Sequence, residues 1–221
     1  MTWLYRHMQR TVRYTDPAAY TTSDGTAVPN LLGVVRGVPA FFERCLFPVF
    51  VFDGGPVSLK QSRLSSRRKR RKRADAKAKA AAERGDHCAA ARNRAQAQGL
   101  TKPIRQTTDE LLELLDIPTL VAPSEAEAQA AHMARAGATE YVVTDDYDAL
   151  LYGAPLTLRE FASAGRLECM DFRATLDELG LTRAQLVDVA ILCGTDYNDG
   201  VPGFGPRRAL DRLEAHGRVW A

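Results

Sequence analysis

No apolar stretch in this chain of 221 residues approaches the roughly 18 residues that a membrane span needs. The opening MTWLYRHMQRT has no apolar core segment and no small-residue cleavage site, so it does not read as a secretory signal. Cysteines are few and scattered. Cys45, Cys88, Cys169 and Cys193 form no C-x-x-C, which argues against a disulfide frame or a thiolate zinc site and for reduced thiols. The four histidines are as dispersed, and none makes an H-x-x-x-H pair. From Leu59 to about Ala97 large apolar side chains are nearly absent, so this segment is expected to lie outside any core. The expectation is an intracellular protein, in the cytoplasm or nucleoid of a prokaryote or the nucleus of a eukaryote, with no membrane contact.

What is present is an ordinary globular composition, 45% apolar and 26% charged, long enough for one large domain or two small ones. The net charge of +3 hides a strong asymmetry. Residues 58–105 carry 16 Lys/Arg against three Asp/Glu, so this part holds +13 and the remainder −10. The basic part calls for a polyanion partner. The acidic part is either a gathering of carboxylates for a purpose or solvated surface.

Residues 1–14 have helical apolar spacing, 20–30 form a loop, and 30–44 are again helical in pattern. FPVFVFDGG reads as a buried strand with Asp53 at its carboxyl end. The Ala/Lys/Arg segment predicts helices that Gly85 divides. There follow a helix near 106–116, a strand in IPTLVAP, a helix ending at Gly137, strands in EYVVTDD and at 155–161, and a helix over 182–193 with a Thr182/Gln185 capping box. Alternating strands and helices predict an α/β domain with a largely parallel sheet.

Asp145, Asp146 and Asp148 fall within four positions at the end of a predicted strand, where their charges repel unless something positive joins them. In open α/β sheets, sites form outside the carboxyl ends of the strands, which is also where Asp53 lies. Glu125 and Glu127 open a helix, and Asp196 follows one. Each has a plain alternative: Ser124 with Glu127 fits a capping box, Asp53 precedes two glycines in a turn, and Asp196 sits in a polar loop. The sharper reading is that several converge on hard divalent cations, which take oxygen ligands. Two such ions about 4 Å apart can activate water and stabilise a leaving oxygen in phosphodiester hydrolysis.

FPVFVFDG, APSEAEAQAA, VVTDDYDALLYG and ILCGTDYNDGVPGFGPRRAL resemble, in order, the signatures of the flap endonuclease family of structure-specific 5′ nucleases. AYTTSDGT and LLGVVRGVPAFFE are similar to archaeal members. The resemblance implies a PIN-like 5′ nuclease fold: α/β, with a mixed, largely parallel central sheet flanked by helices. It implies a basic helical arch inserted in that core and the start of a helix–hairpin–helix DNA-binding region. By motif order, residues 1–57 are the first part of the nuclease core, 58–105 the arch, 106–195 the remainder of the core and 196–221 the DNA-binding region. The implied chemistry is two Mg²⁺ (or Mn²⁺) ions on Asp53, Glu125, Glu127, Asp146, Asp148 and Asp196, with Asp145 a flanking acid. The arch's catalytic basic pair falls on Lys60 and Arg67, whose spacing of seven puts both on one helix face. Tyr5 matches a tyrosine that stacks on the nucleotide beside the scissile phosphate, with an ordinary core aromatic as its alternative. Gly203 and Gly205 match a turn where backbone approaches phosphate, with Arg207 and Arg208 beside it and a K⁺ ion commonly bound. Most of RRKRRKR (67–73) is expected to be solvated or to contact phosphates without reading bases, and a nuclear import signal competes with that reading.

The family's first strand, which ends in a ligand aspartate, would fall before Met1, and RLEAHGRVWA stops inside the DNA-binding region. The expectation is therefore a fragment, or a reading frame begun at an internal methionine, with weakened or absent cleavage. Branched or flapped DNA is the expected partner of a monomer, and a sliding clamp would be met only by a full-length parent. Two rivals remain: a sibling 5′–3′ exonuclease or bubble-cutting repair nuclease of the same fold, and a DNA-binding remnant without chemistry.

Overall fold

The structure is a computed structural model that describes residues 2–23, 26–55, 61–97, 99–159, 161 and 167–216. The chain forms two compact units. The first comprises 1–54, 64–126 and 162–164; the second 55–63, 127–161 and 165–221. These units follow contacts and cut across the four segments drawn from motif order. Among the described residues no helix is long and apolar enough to cross a membrane.

In the first unit, α1 (Thr2–Tyr14) turns Trp3, Leu4, Met8, Thr11 and Val12 inward. The expected helix over 30–44 is two: α2 (Pro29–Gly37) and α3 (Pro39–Phe42), which begins at a proline. Apolar periodicity runs straight through this point, but Pro39 has no N–H with which to continue the ladder. Trp3 meets Phe41 and Phe50 edge-on or tilted, at 5.6 and 5.1 Å between ring centroids. β1 (Phe50–Phe52) pairs in parallel with β2 (Thr119–Val121). α6 (Lys102–Leu114) starts earlier than expected, with Pro103 in its first turn, where a missing N–H costs nothing. Buried Asn30 pins α2 to α6, its Nδ2 donating to the Thr107 and Thr108 hydroxyls at 2.9 Å.

The basic segment forms α4 (Gln61–Glu83) and α5 (His87–Ala97), separated at Gly85, whose φ of 74° suits glycine. Its expected exclusion from the core is corrected here. Ala74, Ala78 and Ala81 of α4 and Ala90 and Ala95 of α5 are buried, and Ala95 packs against Val12 and Tyr20. Spacings of four and three align the α4 methyl groups on one helix face, and so small a side chain lets helices approach closely without any large apolar residue.

Trp3 stacks on His7 at 4.2 Å. Burial, reinforced by the Arg10 guanidinium, holds the His7 imidazole down at about 4. Since the folded value lies below the unfolded one, the stability contributed by the neutral buried ring is fully present above about pH 6.5 and is lost as pH falls towards 4, a loss of about 3 kcal/mol. Denaturant melts at pH 7 and pH 4 should show that loss in the wild type and not in His7→Leu. Equal losses in both would clear the imidazole of any role.

In the second unit, α7 (Ala126–Arg135) and α8 (Asp148–Leu151) pack alanines around Val142 of β3 (Val142–Val143). β3 pairs in parallel with β4 (Leu156–Arg159), which pairs antiparallel with β5 (Glu168–Asp171). α9 (Phe172–Leu179) is capped by Asp171 and ended by Gly180. α10 (Arg183–Cys193) opens on the expected Thr182/Gln185 capping box, and α11 (Pro206–His216) follows the glycine-rich turn.

Candidate metal centre

Thr144 follows β3 directly; it is buried and extends the ladder by donating its N–H to Leu158 O at 3.1 Å. Its hydroxyl then serves two neighbours. It accepts the Asp146 N–H at 3.1 Å and donates to Glu127 Oε1 at 2.8 Å. The first bond folds the chain back just after the strand, as serine and threonine do in short turns. Asp148, which opens α8, turns its N–H towards Asp146 Oδ1 at 3.4 Å. The result is a cluster in which Glu127, Asp146 and Asp148 each offer a carboxylate oxygen within 4.8 Å of the others.

Burial raises the Glu127 carboxyl above its ordinary range, and the Asp146 and Asp148 charges push the same way; the Thr144 hydroxyl opposes them. A half-buried carboxyl held against two others is a donor set suited to a hard divalent cation, which takes oxygen ligands and cancels the repulsion. By this test the residues fit such an ion.

Arg159 braces the turn from β4. Its guanidinium donates to the Tyr147 hydroxyl at 2.6 Å and to Glu168 Oε2 at 2.9 Å, and lies 4.0 Å from the Tyr147 ring centroid. It also reaches the Asp145 carbonyl at 3.4 Å. Asp145 stands beside the three-carboxylate cluster and is not part of it. Thr144, Tyr147 and Arg159 were not singled out from sequence. A threonine two residues before an aspartate was the one available signal for the turn, and nothing in the sequence joins Arg159 to it.

Asp196 belongs to the same unit, in a tightly held loop. Asn198 accepts the Thr195 hydroxyl at 2.8 Å and donates to Ile191 O at 2.7 Å, while the Tyr197 and Tyr152 hydroxyls share a hydrogen bond of 2.9 Å. Asp196 is not one of the three residues whose oxygens gather. Further along, Gly203 takes a φ of 82° and its carbonyl accepts from Arg208 at 2.8 Å. A Cβ on Gly205 would meet nothing within 4 Å, and Arg207 is exposed.

Asp53 and Glu125 lie in the first unit. Asp53 Oδ1 accepts the Ala126 N–H at 2.9 Å, and its carbonyl accepts from Arg105 at 2.8 Å. Tyr5 is half-buried on α1. Lys60 lies outside the described residues, and so does the Arg67 side chain.

Residues 1–74 match the XPG N-terminal domain and residues 116–196 the XPG I-region. A flap endonuclease 1 of Haloquadratum walsbyi is 52% identical over 219 residues, which are 99% of this chain and 67% of that protein. The chain belongs to the flap endonuclease family. Flap endonuclease-1 from Methanococcus jannaschii superposes with a TM-score of 0.66 at 32% identity, covering 95% of this chain and 72% of the other. The catalytic core of Rad2 in complex with DNA substrate gives 0.70 at 26% identity, covering 98% of this chain and 59% of the other. The expected nuclease fold of this family, with parallel strand pairs flanked by helices, is therefore the one observed.

Within that family frame, Thr144 is expected to act as a positioning residue. Thr144→Val keeps the shape but removes both hydroxyl bonds, and should weaken Mn²⁺ binding by about 10- to 100-fold. Thr144→Ser should restore most of it. Calorimetric titration of Mn²⁺ reads the difference, and equal affinity in all three proteins would refute the role.

Proposed function

We propose that this flap endonuclease relative hydrolyses phosphodiester bonds in 5′-flapped or otherwise branched DNA, in replication and repair within the cell. The observation that carries the reading is the convergence of Glu127, Asp146 and Asp148 on one small volume. Those three would hold Mg²⁺ or Mn²⁺; Asp53, Glu125 and Asp196 join the assignment, and a second ion with it, by motif alone. When bound, such ions supply activation of water and neutralisation of charge at phosphate oxygens. The chain's own part is to hold the carboxylates in place: Thr144 orients Glu127 and folds the Asp146 turn, and Arg159 fixes Tyr147 against β4.

By motif, Lys60 and Arg67 stabilise phosphoryl oxygens and Tyr5 stacks on the nucleotide beside the cut. Gly203, Gly205, Arg207 and Arg208 receive duplex phosphate, with K⁺ at that turn. The protein acts as a monomer, and clamp contact is a matter for the full-length parent. The same order of motifs supports residues 58–105 as the arch and 196–221 as the opening of the DNA-binding region.

Labelled 5′-flap, bubble and blunt duplex DNA incubated with Mg²⁺ or Mn²⁺ test the proposal. Cleavage confined to the flap near its junction is expected, and chelation should abolish it. Preference for the bubble would assign the chain to the sibling class. Binding without cleavage under any metal would assign it to the remnant class.

A further inference from the structure

Tyr152 stands directly after α8, at the end of that helix opposite to Asp148, and three elements of the second unit meet there. Its hydroxyl shares a hydrogen bond of 2.9 Å with that of Tyr197, the neighbour of Asp196. Its carbonyl accepts from Arg135, in the last turn of α7, the helix that carries Glu127 in its first turn. One residue earlier, the Leu151 carbonyl accepts from Arg183 Nε at 3.1 Å. Arg183 opens α10, the helix that leads into the Asp196 loop. Both carbonyls lie at the end of a helix, where the backbone supplies no further N–H to meet them. The elements that carry Glu127, Asp148 and Asp196 are thus all bonded to residues 151–152. Packing explains the Tyr152 ring, which covers the cluster of Ala131, Val142, Ala149 and Ala154. Phenylalanine would cover it as well, so packing does not call for the hydroxyl.

We propose that the Tyr152–Tyr197 hydroxyl bond latches the Asp196 loop to α8 and so sets the spacing between Asp196 and Asp148, which makes both tyrosines positioning residues for an ion that these carboxylates share. The inference rests on the reading of the chain as a metal-dependent nuclease and deepens it. Asp196 stands outside the three-oxygen cluster, so its distance from Asp148 is set by whatever joins its loop to α8. The loop is firm within itself. Asn198 joins Thr195 to the Ile191 carbonyl, and the Val201 N–H donates to Leu192 O at 2.8 Å. A bond at residue 197 therefore governs the carboxylate at 196. One neutral hydrogen bond shifts an equilibrium about three- to tenfold, and that is the size of effect the latch has on the shared ion.

Calorimetric titration of Mn²⁺ into the whole chain without DNA, with thermal melts in EDTA, tests this. Tyr152→Phe and Tyr197→Phe should each weaken the weaker of two Mn²⁺ events about three- to tenfold and leave the tighter one as it is. The double phenylalanine variant should be no weaker than either single one, because the same bond is missing in all three. Each single variant takes from a partly buried hydroxyl its partner and should melt lower; the double variant removes both oxygens and should melt with the wild type. A merely structural bond would restore affinity along with stability in the double variant, and that result would overturn the proposal. So would equal weakening of both events, or a single event in the wild type. Asp148→Asn separates the latch from the metal reading. If it loses Mn²⁺ while the tyrosine variants titrate as the wild type does, the latch falls and the metal centre stands. If Asp148→Asn itself titrates as the wild type does, the metal reading falls and the latch with it.

Discussion

Asp148→Asn is expected to lower Mg²⁺-dependent flap cleavage by about 10³-fold, equivalent to about 4 kcal/mol of lost transition-state stabilisation. The substitution leaves an oxygen in place but removes one of the charges that make the cluster with Glu127 and Asp146 attractive to a divalent cation. It also removes one of the negative neighbours that hold the Glu127 carboxyl up, so Glu127 should ionise at lower pH than in the wild type. A second effect follows with opposite sign. In metal-free protein the three carboxylates repel one another, so the asparagine variant should melt at higher temperature than the wild type in EDTA. Activity lost and stability gained by one substitution is the pattern of a site built against its own electrostatics. Cleavage rates, Mn²⁺ titration and melting in EDTA read the three effects separately. Cleavage within tenfold of wild type would show that Asp148 holds no essential ion.

Gly54→Ala is expected to destabilise the chain by about 3 kcal/mol or more, a fall in Tm of roughly 6–12 °C for a protein of this size. A Cβ at Gly54 would stand 2.1 Å from the Ala122 carbonyl oxygen and 2.9 Å from backbone atoms of Pro123. These are backbone atoms just beyond β2, with no flexible side chain to yield. Gly54 N–H also donates to Ser124 O at 2.7 Å, so the two segments are already drawn together. Relief requires the 122–124 segment to move, and the Asp53 bond to the Ala126 amide moves with it. Gly55→Ala is the matched control, because its Cβ would meet nothing within 4 Å. Thermal melts of the two variants should differ by nearly the whole effect; equal melts would show that the 122–124 segment gives way at little cost.

Much of the frame could be read from residues alone. The Thr182/Gln185 capping box, the helix break at Gly85 and the strand ending before the aspartate turn all follow local rules, and the structure has each of them. What escaped was decided by partners distant in sequence. β5 is mostly exposed along its length, so it shows no two-residue apolar alternation; it exists because β4 offers it an edge. α9 carried its signals, Asp171 before it and Gly180 after it, but buries no residue fully, so the pattern was weak. The segment of α4 and α5 is expected outside the core because it has almost no large apolar residues, yet the smallness of its alanines is what fits them against a neighbour. In the candidate metal centre the acidic residues announced themselves by crowding. Thr144, which bonds Glu127 and the Asp146 amide, and Arg159, which bonds Tyr147 within the turn, have ordinary neighbours in sequence, and only the folded chain brings them together.

The Thr144 hydroxyl has one proton to give, and by receiving the Asp146 amide hydrogen it commits that proton to Glu127 Oε1. Any proton that Glu127 retains is thereby confined to Oε2. A cation held by the cluster would compete with that proton for the carboxylate, and a neutral alcohol sets the oxygen from which the proton would leave.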